Sequence, residues 1–104
     1  MKRVVITGAG TINALGLNVP DTMAAMQNGR CGIGKLEFRD VERLSIQIGG
    51  QVKNFPPPER YNRQQLSLYD RFTQFTLDAA EQAISQSGLI FSGELSAKAG
   101  VVLG

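Results

Sequence analysis

The residues of this chain that could do chemistry are few, and they lack the partners that chemistry needs. Histidine is absent and Cys31 is the lone cysteine. No Ser-His or Cys-His dyad can therefore form, no histidine-bearing zinc site is possible, and a single thiol cannot supply a thiolate cluster. Cys31 stands between Arg30 and Gly32 with no imidazole to act as its base, so it is best taken as a plain small residue. Asp40 and Glu42 offer a carboxylate pair, but they lie in the charge-mixed stretch RDVER. That composition suits a solvated loop better than an acid and a base set apart by their environments.

Three glycine-rich patterns invite a nucleotide-binding reading, and each fails at a residue that its mechanism needs. The loop GAGTINALG follows an apolar run, but a G-x-G-x-x-G fingerprint starting at Gly8 requires glycine where Asn13 stands. The short-chain dehydrogenase variant from Thr7 requires glycines at Ile12 and Ala14, and no Tyr-x-x-x-Lys pair accompanies it. GRCGIGKL, from Gly29 to Leu36, satisfies G-x-x-x-x-G-K but places Leu36 where a magnesium-binding hydroxyl belongs. It also follows a helix-like stretch, whereas a phosphate loop needs strand, loop and helix in that order. No metal site and no cofactor are expected.

Composition narrows the classes further. The 104 residues are 42% hydrophobic and 19% charged with a net charge of +2, which suits one small globular domain or part of one. Lys and Arg are scattered without a polybasic run, so neither nucleic acid nor a membrane surface is an expected partner. The apolar stretch after Lys2 and Arg3 ends at Thr7 and Gly8, too short for a signal-peptide core or a membrane span. Cytoplasm is the expected compartment, and an unpaired cysteine fits a reducing one.

The elements that must position these residues can be outlined from periodicity. Val4, Val5 and Ile6 form a β-branched run halted by Gly8-Ala9-Gly10, the pattern of a strand buried on both faces. Pro20, Asp21, a run of Met and Ala, and Asn28-Gly29 as a stop predict a helix of about three turns. Ile46, Ile48, Gly50 and Val52 alternate as a strand, which Pro56-Pro57-Pro58 then ends. Asn62 with Gln65 predicts a capping box, and Ser87-Gly88-Leu89 a glycine stop. The interval is one helix of about 25 residues, about 37 Å long. It carries two apolar rows, Leu68-Phe72-Phe75-Ala79-Ala83 and Leu66-Tyr69-Thr73-Leu77-Ala80-Ile84. Only Arg71, Gln74, Asp78, Glu81 and Ser85 form a polar row, as expected of a helix central to a layered core. Phe72 and Phe75 are read as core packing. Gly100 to Gly104 repeats the buried-strand pattern. So few strands leave open edges and an uncovered helix.

Several segments now line up in order: KRVVITGAG, Leu15-Gly16, GRCGIG, IGGQVKNF, YDRFTQF, AAEQAISQSGL and AGVVLG. Together they resemble the β-ketoacyl-acyl carrier protein synthases, in particular the elongating type II branch, across nearly the whole chain. The most specific segment is D-R-F-T-Q-F. The resemblance implies an α/β fold, the N-terminal portion of a thiolase-like architecture in which layers alternate as α/β/α/β/α. Residues 1–104 would be a partial N-terminal domain ending before the catalytic cysteine, with the Val4–Ile6 strand and the long helix in the inner layers. It also implies a homodimer and a decarboxylative Claisen condensation of acyl and malonyl thioesters held on acyl carrier protein. That reaction uses a cysteine nucleophile, oxyanion donors and two histidines. In the family these lie downstream, so no catalytic residue is assigned and Cys31 is not the nucleophile. The chain alone is expected to be inactive.

The resemblance assigns structural roles to Gly8 and Gly10, which let the chain turn after the first strand, and to Asp70, Arg71 and Phe72, which anchor the long helix. A solvated polar row is the other reading for Arg71. Many elongating synthases carry basic residues just before the D-x-F motif, on the surface that meets the acidic carrier protein. Here Ser67 and Leu68 stand there, leaving Arg60 and Arg63 as the candidate carrier-facing residues by charge steering. Two other readings remain: a segment of a non-catalytic ketosynthase-like partner subunit of the chain-length-factor type, and a stand-alone phosphate-binding module using GAG and GRCGIGK.

Overall fold

A computed structural model describes every residue from Met1 to Gly104. In chain order the elements are α1 (Val19–Gln27), β1 (Ile33–Lys35), a 3-10 turn at Val41–Arg43, β2 (Ile48–Gly50), α2 (Arg63–Leu68), α3 (Arg71–Ser87) and α4 (Gly93–Lys98).

The first helix begins and ends on local chemistry. Asn18 accepts the Asp21 amide at 2.8 Å, Pro20 sits in the first turn, and Asp21 complements the helix dipole. At the other end Gly29 takes a left-handed φ of 64°. The amides of Gly29 and Arg30 turn back to the carbonyls of Met26 and Ala25, closing a Schellman motif.

The strand expected around Ile48 is present and pairs antiparallel with β1, in the register Ile33 to Gly50, Gly34 to Gly49 and Lys35 to Ile48. Its partner is the segment that mimics a phosphate loop. Gly34 and Lys35 therefore belong to a ladder, and the strand-loop-helix context of a phosphate site does not exist there. Gln51 extends the ladder by exchanging side-chain hydrogen bonds with the backbone of Glu37, at 2.8 and 2.9 Å.

Three expectations are corrected. The expected single helix is broken into α2 and α3 at Tyr69 and Asp70, both extended. Asp70 accepts the Thr73 amide at 2.8 Å, and a short acidic side chain caps a new helix better than it continues an old one. Val4 to Ile6 forms no strand, with Val4 96% and Ile6 91% exposed. Gly100 to Gly104 likewise stays irregular and open. In both cases the apolar run is present but no neighbouring backbone supplies the ladder that defines a strand.

The surface of α3 inverts the simplest amphipathic expectation. Gln74, from the polar row, is 5% exposed, whereas Phe72, Leu77 and Ile84 lie open, as does Leu68 at the end of α2. Ala25, Phe55, Tyr61 and Gln74 are the only buried residues. The accessible surface is 8623 Å², against about 5,700 Å² for a compact protein of this mass. The radius of gyration is 17.1 Å, against about 13 Å for a compact chain of this length. Helices and strands are both present, in keeping with an α/β class, but they do not close around a core of their own.

Candidate functional site

What this chain builds is a set of attachments to one side of α3, made by Gln74, Asp78, Gln82 and Gln86 together with Phe75, Ala79 and Ala83. The first holds the N-terminal segment. Gly8 and Gly10 do not adopt positive φ; they lie flat against the helix. A β-carbon on Gly8 would stand 2.0 Å from the Ala83 carbonyl oxygen, and one on Gly10 would stand 2.0 Å from that of Ala79. With the backbones this close, glutamine side chains act as surrogate strand partners. Gln86 accepts the Ala9 amide at 2.7 Å, and Gln82 accepts the Thr11 amide at 3.2 Å. The amide nitrogen of Gln82 reaches the carbonyls of Thr11 and Leu17 and the carboxylate of Asp78.

The second attachment holds the segment from Phe55 to Tyr61. Arg60 donates through Nε to Asp78 at 3.0 Å, and through Nη2 to Glu81. Its guanidinium stacks over the Tyr61 ring at 4.7 Å. The hydrogen bond to Asp78 leads the causes that raise the Arg60 pKa further. Tyr61 is buried and donates its hydroxyl to the Gln74 carbonyl at 3.2 Å. Burial pushes its phenol above the ordinary value of 10.0. Tyr69 meets it edge to face at 6.0 Å.

Arg71 makes the third attachment. It donates to the carbonyls of Phe55 and Val52, and its guanidinium lies 4.8 Å from the Phe75 ring centre. Phe55 and Phe75 pack at 5.3 Å. These partners all lie within the chain, while Arg71 itself stays exposed. Between these groups Gln74 donates to the Tyr69 carbonyl at 2.9 Å. Its own side-chain oxygen is buried without a donor.

The candidate residues therefore part company. Arg60 is committed to Asp78 and Glu81, whereas Arg63, the first residue of α2, is exposed and forms no ion pair. Asp70 caps α3, with its carboxyl held below its ordinary value because it accepts the Thr73 amide. Phe72, expected as core packing, is exposed. Cys31 is exposed, and its sulfur accepts the Ile33 amide at 3.4 Å. Asp40 and Glu42 are exposed, with Asp40 beside Arg39. No group of three or more acidic, Cys or His side chains is placed to hold a metal ion. An open cleft of about 390 Å³ beside α1 is lined by the polar side chains of Asn13, Asp21, Asn28, Arg30, Lys53 and Asn54. No helix is long and apolar enough to cross a membrane.

Sequence reasoning missed Gln82, Gln86 and Asp78 as binding groups. Gln82 and Gln86 share one helix face at a spacing of i and i+4, but nothing in that spacing points to backbone 71 and 77 residues away.

Compared with known proteins, residues 1–104 match the family described as the N-terminal domain of β-ketoacyl synthase. The 3-oxoacyl-(acyl-carrier-protein) synthase 2 of Synechocystis sp. is 33% identical over 103 residues, covering 99% of this chain and 25% of that protein. The proteins of the same name from Staphylococcus aureus and Vibrio harveyi are similar to the same extent. This chain thus spans about a quarter of the length of these relatives.

Proposed function

The chain belongs to the β-ketoacyl synthase N-terminal domain family, and from that membership we propose that it serves as the opening segment of a 3-oxoacyl-acyl carrier protein synthase. The observation that carries this reading is the open apolar surface of α3, from Phe72 to Ile84, in a chain that spans 25% of its relatives' length. A helix exposed in this way is a part awaiting layers, which supports a thiolase-like arrangement with Val4–Ile6 and Val101–Leu103 entering a sheet. The full assembly would be a cytoplasmic homodimer.

The reaction proceeds in balanced steps. An acyl group passes from the carrier-protein thiol to an enzyme cysteine. Malonyl-carrier protein releases carbon dioxide, and the electron pair of the broken bond becomes an enolate. The enolate attacks the acyl thioester carbonyl, and the tetrahedral oxyanion collapses with loss of the cysteine thiolate. The imidazoles must come from polypeptide other than these residues, since the chain has no histidine, and Cys31, exposed and with no imidazole to act as its base, is not the nucleophile. The work of residues 1–104 is to hold strand-forming segments in register on α3. Of the two candidate cations, Arg63 is the one left to meet acidic carrier protein; Arg60 is spent within the fold.

The test is the intact mass of the polypeptide in its source cell, followed by an assay of that polypeptide with acyl- and malonyl-carrier protein. A mass about four times 11.2 kDa, with carbon dioxide release and 3-oxoacyl product, is expected. A product near 11.2 kDa, or a large one that does not condense, overturns the reading.

A further inference from the structure

We draw no further inference here: the strongest candidate, the unpartnered apolar face that Leu77, Ala80 and Ile84 present along α3, lies open with nothing in the structure to show what covers it.

Discussion

Gly10 lies so close to Ala79 that a β-carbon added to it would stand 2.0 Å from the Ala79 carbonyl oxygen. The contact is with helix backbone, which cannot swing aside, so the N-terminal segment itself must lift. Gly10→Ala in the complete polypeptide is expected to cost about 1–3 kcal/mol and to speed amide exchange at Ala9 and Thr11. Gly34→Ala, where nothing lies within 4 Å of the added carbon, is the control and should change stability by about 0.5 kcal/mol or less. Equal denaturation midpoints for the two variants would remove the close approach as the reason for glycine.

Arg60 is expected to act on stability rather than on partner binding. Its hydrogen bond to Asp78 is largely sheltered, while Glu81 is well exposed. Arg60→Ala should cost about 1–2 kcal/mol, somewhat below a fully buried charge-assisted bond. A double-mutant cycle should place most of the coupling with Asp78 and only about 0.2–0.5 kcal/mol with Glu81. Coupling concentrated on Glu81, or a raised KM for carrier protein at unchanged stability, would contradict this assignment.

Asp70 ties the start of α3 to pH. Its carboxyl is held below the ordinary value of 3.8, chiefly because the ionised form accepts the Thr73 amide. A depressed carboxylate contributes fully above its unfolded pKa and loses that contribution as pH falls through the folded one. Exchange protection of the Thr73 amide should therefore hold from neutral pH to about pH 4 and decay below it. Asp70→Asn keeps an acceptor that does not titrate and should flatten the profile, whereas Asp70→Ala should fray the first turn at every pH. An unchanged acid profile in Asp70→Asn would assign the loss to another group.

How much of this was legible depended on whether the signal was local. Asn62 with Gln65, Asn28-Gly29 and Gly88 are caps and stops readable within a few residues, and each stands where the pattern placed it. The short helix α4 has only six residues, too few for an apolar periodicity to show, and its local marks are Ser92 at the N-cap and the i,i+4 pair of Glu94 and Lys98. A strand is a relation between two segments: Ile33-Gly34-Lys35 has little β propensity and becomes a strand through β2, whereas Val4–Ile6 has the propensity and no partner. The attachments were least legible. Gln82 and Asp78 look like solvated helix residues until Thr11 and Arg60 are brought to them.

Arg63 is the cation expected to influence partner binding. It is exposed, lacks a carboxylate and stands at a helix N-terminus, where positive charge opposes the dipole. Arg63→Ala in the complete polypeptide should leave stability within about 0.5 kcal/mol. The KM for carrier protein should rise roughly two- to fivefold at low salt, with the difference shrinking as ionic strength screens it. A salt-independent change, or none, would remove Arg63 from the carrier-facing surface.

The apolar face of α3 makes opposite demands on the chain alone and on the complete polypeptide. Expressed alone, residues 1–104 should bind an apolar dye, melt broadly and scatter with a radius of gyration near 17.1 Å or larger, because exposed Leu77 and Ile84 have nothing to cover them. Replacing both by glutamate should make the isolated chain more soluble by removing that surface. In the complete polypeptide the same pair of substitutions should abolish condensing activity and lower stability by several kcal/mol, since charges would then enter a closed layer. If the double variant of the complete polypeptide stays folded and active, the face is a free surface and the layered reading fails. A sharp, cooperative melt of the unmodified 104-residue chain as a soluble monomer would count equally against it.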